Sequence, residues 1–213
     1  MSTVTADDRT RALYQAASLL LQYPDEQLLE RADLLLSVAA GQPPAVAAGL
    51  QALLEQLTTR PLVDVQSDYV QVFDLKRRCC PYLTYYAHGD TRTRGMALLN
   101  FKSAYRRAGV VLDDRELPDH LAVVLEFAAT VDLDEGRRLL LENRAGLELL
   151  RLALRDTGSA YEAVLAAVSA TLPTLRGDEE QAVRKLVAQG PPQEDVGLEP
   201  YGLPEMREVG SRS

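Results

Sequence analysis

The sequence has no tryptophan and only two cysteines, and these shortages exclude several classes of protein. Cys79 and Cys80 are adjacent, and neighbouring cysteines rarely bridge each other because the resulting ring is strained. A secreted domain held together by disulfides is therefore excluded. No apolar run approaches the roughly 20 residues that a membrane-spanning helix needs. The first residues also lack the apolar core of a signal peptide, so we expect a cytoplasmic protein.

Phenylalanine is scarce and basic residues are fewer than acidic ones, whereas leucine and alanine are abundant. The chain has three phenylalanines among 213 residues, and such a composition favours helix over sheet. Its net charge is −8, which makes nucleic acid and anionic membranes unfavourable partners. The length suits one domain with a sizeable core, and the charge suits a cationic partner.

Apolar residues recur at helical spacing along most of the chain. The first predicted helix covers about residues 7–22, with one buried stripe made of Leu13, Ala16, Ala17, Leu20 and Leu21. Further helices are predicted to begin near Asp25, Pro44, Pro61, Thr91 and Pro118, and around residues 135, 159 and 178. Asp90 is the expected N-cap of the helix from Thr91 to Ala108, and Pro118 is expected in a first turn.

No segment of useful length alternates with period two, so no sheet is predicted. The expected fold is all-α: a single-domain helical bundle that covers residues 1–189. From Gly190 onward proline, glycine, glutamate and serine replace apolar residues. Such a composition cannot bury enough apolar surface to fold, so 190–213 is predicted to be a flexible tail.

Two stretches depart from ordinary helical sequence: PYLTYYAHGDTRTRG at 81–95 and ELPDHL at 116–121. They concentrate aromatic, charged and structure-breaking residues where a plain bundle needs none. Such departures are common at working sites. One stretch precedes and the other follows a single predicted helix, so they can face each other across one groove.

Charge is segregated around these two stretches. Residues 76–107 hold eight Lys or Arg and one acid, whereas residues 108–136 hold eight acids and one Arg. Solvated faces that pair with each other explain most such runs. For Arg92, Arg94 and the acids of 116–119 we favour a second interpretation, a bipolar groove that orients a charged ligand.

Motifs for catalysis, metal binding and nucleic-acid binding are missing from the sequence. There is no phosphate-binding Gly-x4-Gly-Lys-Ser/Thr, no Gly-x-Gly-x-x-Gly after a strand and no Gly-x-Ser-x-Gly elbow. The residues that could ligate a metal are Cys79, Cys80, His88 and His120, and their spacing in the sequence does not match that of a metal site. Glu116 and Asp119 are a pair of carboxylates, a residue type that serves in general acid–base catalysis. The tyrosines between residues 82 and 105 could stack on nucleic-acid bases, but the negative net charge of the chain makes nucleic-acid binding unfavourable. We predict no enzymatic activity, no metal and no nucleic-acid partner.

The two stretches, together with LLLQYPDE and YVQVFDL, resemble the nitrate reductase assembly chaperones of the NarJ type, also called delta subunits. YLTYYAHGDTRTRG resembles the nitrate reductase branch, and ELPDHL matches the Glu-x-Pro-Asp-His signature of the wider TorD/DmsD group of redox-enzyme maturation proteins. The likeness extends from the first helix to about residue 170.

This resemblance implies an all-helical, cytoplasmic and non-catalytic protein that does not insert in the membrane. Members of the family bind the N-terminal leader of a molybdenum reductase's catalytic subunit. They keep the apoenzyme competent for insertion of the molybdenum cofactor and prevent it from docking early on its membrane anchor. No cofactor is expected to bind the chaperone stably, and cofactor-synthesis proteins are a further expected class of partner.

A leader helix that docks in a groove needs an apolar trough with charged edges. Arg92 and Arg94 lie in a predicted first turn, where positive charge opposes the helix dipole, so we expect a carboxylate to pair with them. Glu116 and Asp119 suit a basic peptide. The residues expected to contact the leader are Leu83, Tyr86, Asp90, Arg92, Arg94, Glu116, Leu117, Asp119, His120 and Leu121.

The segment between the two stretches is predicted to act as a hinge that opens the groove, at Gly109, Asp113, Asp114 and Pro118. Three alternatives stay open. The same cleft could hold molybdopterin or a nucleotide in a cofactor carrier. The client could be a related molybdenum reductase. The chain could also be a helical adaptor with another partner.

Overall fold

The computed structural model describes residues 5–89, 91–113, 116–175, 177, 180–181 and 183–185, and within them it is an all-α bundle, as predicted. The predicted tail lies outside the described residues. The α-helices are α1 Ala6–Leu20, α2 Glu26–Glu30, α3 Ala32–Ala40, α4 Pro44–Thr59, α5 Leu62–Tyr69, α6 Tyr85–His88, α7 Arg92–Arg107, α8 Leu121–Thr130, α9 Leu133–Glu142, α10 Arg144–Asp156 and α11 Glu162–Ala170.

The first helix packs against α8, α11 and α3. Thr5 and Asp8 form a reciprocal capping box at its start, which satisfies two backbone donors that the first turn leaves without partners. The whole predicted stripe of α1 is buried, and the helix packs chiefly against α8. Ser18 donates a buried hydrogen bond of 2.8 Å to the carbonyl of Ala122, which fixes the two helices in register.

Two helices that the periodicity predicted as continuous are broken. The chain between Asp25 and Ala40 forms α2 and α3, separated at Arg31, and Leu36 of the predicted stripe is exposed. The predicted helix around 135–155 is divided at Asn143 into α9 and α10. Of the helix predicted at 178–188, residues 180–181 and 183–185 are described and helical.

The start of α8 corrects the prediction for Pro118. The helix begins at Leu121, and His120 is its N-cap, with the side chain accepting a hydrogen bond from the amide of Ala122. Pro118 therefore precedes the helix and lies outside its first turn. At the start of α7 the N-cap position is Thr91, whereas Asp90, the predicted cap, lies outside the described residues.

A π-helical segment, Val70–Asp74, follows α5 directly and was not predicted. The amide of Leu75 bonds to the carbonyl of Val70 at 3.0 Å, so the chain makes one wide turn. Wide turns of this kind are frequent at functional sites. Phe73 and Asp74, which lie in the segment, both line the cavity described below. In the described residues, no helix combines the length and apolar character needed to cross a membrane.

Candidate functional site

The two unusual stretches lie side by side. The amide of Leu83 donates to the carbonyl of Asp119 at 3.1 Å, and the amide of Leu121 donates to the carbonyl of Pro81 at 2.9 Å. Between these bonds Tyr82 and His120 form an isolated antiparallel bridge. We call this paired region, 81–83 with 119–121, the junction. It supports the prediction that both stretches meet in space.

Asp119 is the buried centre of this junction. Its side chain has no exposed surface and accepts hydrogen bonds from the amide of Thr84 at 3.1 Å and from the hydroxyl of Thr84 at 2.5 Å. Arg94 approaches the same carboxylate oxygen to 3.5 Å. A buried charge is tolerated when it is both paired and hydrogen-bonded, so Asp119 holds the junction together.

Arg94 links α7 to the junction and lies beside a tyrosine ring. Its Nε donates to the hydroxyl of Thr84 at 3.2 Å, and its guanidinium carbon lies 5.4 Å from the centroid of the Tyr82 ring. That distance is within the range of a cation–π contact. The expected carboxylate partner of Arg94 is thus Asp119. The Tyr82 hydroxyl donates to Glu116 at 2.9 Å, and burial, followed by this bond, raises the pKa of Tyr82.

A cavity of about 770 Å³ opens beside the junction, within the size range of ligand sites. Its lining combines an aromatic floor with charged side chains of both signs. The acids are Asp74, Glu116 and Glu126, and the bases are Arg77 and Arg94. The remaining lining residues are Gln22, Tyr23, Tyr69, Phe73, Cys80, Pro81, Tyr82, Tyr85, His120, Ala122 and Val123.

The aromatic floor is preorganised by contacts among its own rings. The rings of Tyr69 and Phe73 are 4.7 Å apart, and Tyr23 meets Tyr69 edge-on at 5.5 Å. Both distances lie within the range that aromatic pairs prefer. The Tyr69 hydroxyl donates to the carbonyl of Leu21 at 2.9 Å. Tyr23 remains 51% exposed, so a ligand can reach its ring without displacing the core.

His120 contributes a neutral imidazole to the cavity wall. Burial lowers the pKa of His120 below the ordinary value of 6.5, while the charges of Glu116 and Asp119 oppose this change. The Nδ1 atom accepts from the amide of Ala122 at 3.3 Å, and the ring packs edge-on against Tyr82 at 5.2 Å. The side chain thus caps α8 and lines the cavity at once.

Of the ten residues predicted to contact a leader, Arg94, Glu116 and His120 line the cavity. Leu83, Tyr86, Asp119 and Leu121 require correction, because all four side chains are buried and belong to the core or to the junction. Tyr86 donates to the carbonyls of Arg78 and Cys80 at 2.9 Å each. A bound peptide cannot touch these four side chains in this conformation.

The other predicted contacts lie elsewhere. Arg92 and Leu117 are exposed but outside the cavity lining, and Asp90 lies outside the described residues. Among the predicted hinge residues, Gly109 has a positive φ of 80°, and Asp113 is exposed. Asp114 lies outside the described residues.

Pro118 does not fit a hinge. It is buried, and its carbonyl accepts a buried hydrogen bond of 2.6 Å from the Tyr105 hydroxyl. A hinge residue has to absorb a large change of backbone angles, which this anchoring opposes. The rest of the predicted hinge remains a prediction.

Sequence reasoning missed the cavity residues of α5, its π-helical extension and the end of α1. The sequence analysis gives no binding role to Tyr23, Tyr69, Phe73 or Glu126. A signal was present, since Tyr23 lies in LLLQYPDE and Tyr69, Phe73 and Asp74 lie in YVQVFDL, the two segments that share the resemblance. Among the described residues, no group of three or more His, Cys, Asp or Glu is arranged to hold a metal.

The bundle has the fold of a redox-enzyme maturation protein. It matches a crystal structure from Archaeoglobus fulgidus that is assigned to that class, with a TM-score of 0.56, 23% sequence identity, and coverage of 76% of this chain and 93% of that chain. The family model described as nitrate reductase delta subunit matches residues 40–167. The chain therefore belongs to the nitrate reductase delta subunit family.

Individual relatives agree with this membership. The chain is 33% identical over 172 residues to the nitrate reductase molybdenum cofactor assembly chaperone NarJ of Escherichia coli K12, covering 79% of this chain and 72% of that protein. It is 30% identical over 165 residues to a protein of the same description from Bacillus subtilis, covering 76% and 89%.

A second kind of relative is much longer. The nitrate reductase-like protein NarX of Mycobacterium tuberculosis is 42% identical over 159 residues, which are 75% of this chain but only 24% of that protein. The chain thus spans about a quarter of NarX. The predicted family and the predicted all-α fold of the described residues are confirmed. The two relatives of matching length are named as assembly chaperones rather than catalysts, in agreement with the prediction of no enzymatic activity.

Proposed function

We propose that this protein is a cytoplasmic chaperone that binds the N-terminal leader of a nitrate reductase catalytic subunit in the cavity beside the junction. In this role it supports insertion of the molybdenum cofactor into the client and delays docking of the client on its membrane anchor. It holds no cofactor stably and catalyses no reaction. Cofactor-synthesis proteins are proposed as further partners.

The cavity is the observation on which the proposal rests. Helix-in-groove recognition needs an apolar trough with charged edges, and here the exposed ring of Tyr23 and the buried rings of Tyr69 and Phe73 form the floor. Glu116 and Glu126 are among the charged residues that line the cavity. Aromatic side chains are the commonest anchors of binding energy at interfaces, and carboxylates attract the basic side chains of a leader.

The names of the relatives support a nitrate reductase as the client. The NarJ proteins are described as assembly chaperones for its molybdenum cofactor. NarX carries a homologous segment inside a longer chain named nitrate reductase-like. A peptide of the first ~15–20 client residues is only marginally helical by itself, so an apolar trough supplies the packing that such a helix lacks.

Isothermal titration calorimetry, with that peptide titrated into the full chain, tests the proposal. We expect saturable binding that weakens with added salt, because exposed charge pairs are screened. Replacing Glu116 and Glu126 by Gln should weaken binding by about tenfold, or ~1.4 kcal/mol. Glu30→Gln, an exposed acid on α2 away from the cavity lining, is the matched control. Equal affinity in the double variant and the control would contradict the proposed site.

The alternative function, a cofactor carrier, is tested by the same calorimetric titration. Titration of a guanine nucleotide or of molybdopterin, without peptide, should give no saturable heat if the leader is the ligand of the cavity. Saturable binding that Tyr23→Ala abolishes would favour the alternative, because Tyr23 is the most exposed ring of the floor. Client identity is tested by comparing leaders from nitrate reductase and from related molybdenum reductases.

A further inference from the structure

The three acids of the cavity lining differ in what their side chains contact. Oε1 of Glu116 accepts hydrogen bonds from the Tyr82 hydroxyl at 2.9 Å and from the Leu117 amide at 2.8 Å. Asp74 and Glu126 are exposed, and within the described part of the chain neither side chain makes a hydrogen bond or an ion pair. Glu116 is therefore engaged in the protein's own structure, whereas the other two carboxylates are available to a ligand.

Asp74 reaches the cavity because of the π-helical segment Val70–Asp74. Each residue turns an α-helix by about 100°, so in an α-helix the fifth side chain after Tyr69 would point about 140° away from it. A π-helix closes each hydrogen-bonded ring over one more residue, which reduces the turn to about 80° per residue and brings the fifth side chain back to roughly half that angle. Tyr69, Phe73 and Asp74 accordingly line the same cavity.

Glu126 is the single charged residue of α8. Most of this helix is buried, and the exposed Glu126 lies one turn after the half-buried Val123. Both side chains line the cavity. The helix thus presents an apolar side chain and a carboxylate together to a ligand, as an apolar trough with a charged edge requires.

Negative charge is in excess around the aromatic floor. The described lining holds three acids and two bases, and one of the bases, Arg94, is already paired with Asp119. Burial raises the pKa of Tyr69, and the negative charges of Asp74 and Glu116 are among those that raise it further. Like charges that share a site repel each other, so a basic side chain from a ligand would relieve this repulsion.

We infer that Asp74 and Glu126 determine the preference of the cavity for a basic leader, each by pairing with a basic side chain of the peptide. Glu116, by contrast, holds the Tyr82 ring in place. This inference rests on the proposed function for the identity of the ligand. The exposed ring of Tyr23 belongs to the same lining, and a cation gains from an aromatic face as well as from a carboxylate. The π-helical turn supplies one of the two selecting charges.

The test compares three substitutions that keep the size of the side chain: Asp74→Asn, Glu126→Gln and Glu116→Gln. Isothermal titration calorimetry with the leader peptide should show that each of the first two weakens binding about five- to tenfold. Combined, they should flatten the dependence of affinity on salt, because the charge pairs that salt screens are gone. Glu116→Gln should leave affinity within about twofold, since an amide oxygen can accept the same two hydrogen bonds. Melting temperatures check that each variant folds.

A leader peptide in which every Lys and Arg is replaced by Gln gives a second, independent measurement. Asp74→Asn and Glu126→Gln should change the affinity for this neutral peptide by less than about twofold, because the interaction that each variant removes is already absent. A carboxylate that acts only through the shape of the cavity would weaken the binding of both peptides alike. Equal losses for the basic and the neutral peptide would therefore overturn the inference.

The remaining outcomes separate the inference from the proposed function. If the leader binds the unchanged protein and the Asp74 and Glu126 double variant equally well, the inference falls and the proposed function stands. A loss in Glu116→Gln as large as that in Glu126→Gln overturns the distinction between the acids. The loss expected in the Glu116 and Glu126 double variant then no longer comes from Glu126 alone. Absence of leader binding to the unchanged protein removes the proposed function and the inference together.

Discussion

Arg94 and Asp119 form an ion pair at 3.5 Å that ties the first turn of α7 to the segment before α8. The acid is fully buried and the arginine is mostly buried. The pair therefore connects the two unusual stretches of the sequence through the interior of the protein. Its main consequence is for the stability and shape of the junction, since Asp119 does not line the cavity.

Asp119→Ala is expected to destabilise the protein strongly. The change removes the acceptor for both Thr84 donors and leaves the Arg94 charge without this partner, and breaking a buried pair in this way costs about 3 kcal/mol or more. Urea unfolding monitored by circular dichroism measures the loss. In the control, Asp68→Ala removes an exposed pair with Arg60 and should cost about 1 kcal/mol or less. Similar losses in both variants would be evidence against a structural role for Asp119.

Gly146→Ala should disturb the junction that lies beside the cavity. A Cβ atom at Gly146 would lie 2.6 Å from the backbone carbonyl oxygen of Leu83, so the junction or α10 must shift. Overpacking of this kind costs about 1–3 kcal/mol, and we expect weaker leader binding as well. Thermal unfolding and peptide titration measure the two effects. Gly41→Ala, where the closest neighbour of the added methyl is 3.5 Å away, is the control; equal behaviour of the two variants would contradict the close contact.

Stability should decrease below about pH 6.5 because of His120. Burial lowers the pKa of His120 in the folded protein below 6.5, so the unfolded chain binds the proton first as the pH falls. The stabilisation from the neutral ring is complete above pH 6.5 and is lost as the pH falls toward the folded pKa. Urea unfolding at about pH 7.5 and about pH 5.5 measures the change.

His120→Asn isolates this contribution. Asparagine is a good N-cap, so it can keep the bond to the Ala122 amide without titrating in this range. The difference in unfolding free energy between the two pH values should be smaller in the variant than in the unchanged protein. An identical pH dependence in the two proteins would show that His120 is not the responsible group.

Tyr23→Ala should weaken leader binding without a large loss of stability. The ring is half exposed and lies at the edge of the aromatic floor, so its truncation removes contact area from the ligand more than from the core. We expect a loss of about 1–2 kcal/mol in peptide affinity, in the range of an aromatic anchor. Leu34→Ala, another exposed apolar side chain, is the control. Unchanged affinity in Tyr23→Ala would remove this ring from the binding site.

The sequence predicted the helices with regular stripes well, because a helical stripe is a local property. The residues of α1 and α4 show this, since Leu13, Leu20, Leu50 and Leu54 all lie in the core. The breaks at Arg31 and Asn143 were not predicted, since both occur where the helical pattern continues. The π-helical turn at Val70–Asp74 has no recognised sequence signal either.

The meeting of the two unusual stretches was predicted, because they flank one helix, but the lining of the cavity beside them was not. The backbone pairing of 81–83 with 119–121 was not anticipated either. Leu83 and Leu121 were expected to face a ligand, yet an apolar residue serves a core and a groove equally well in a sequence pattern. Tyr23, Tyr69 and Phe73 come from distant segments, and only the tertiary packing brings them to the same cavity.

The pairing of Pro81–Leu83 with Asp119–Leu121 has an evolutionary consequence. The residues between the two paired stretches also belong to the core, since Tyr86, Phe101 and Tyr105 are buried in it. A substitution in either stretch is therefore constrained both by the opposite stretch and by the packing of the helices between them, so the two stretches are expected to change together during evolution.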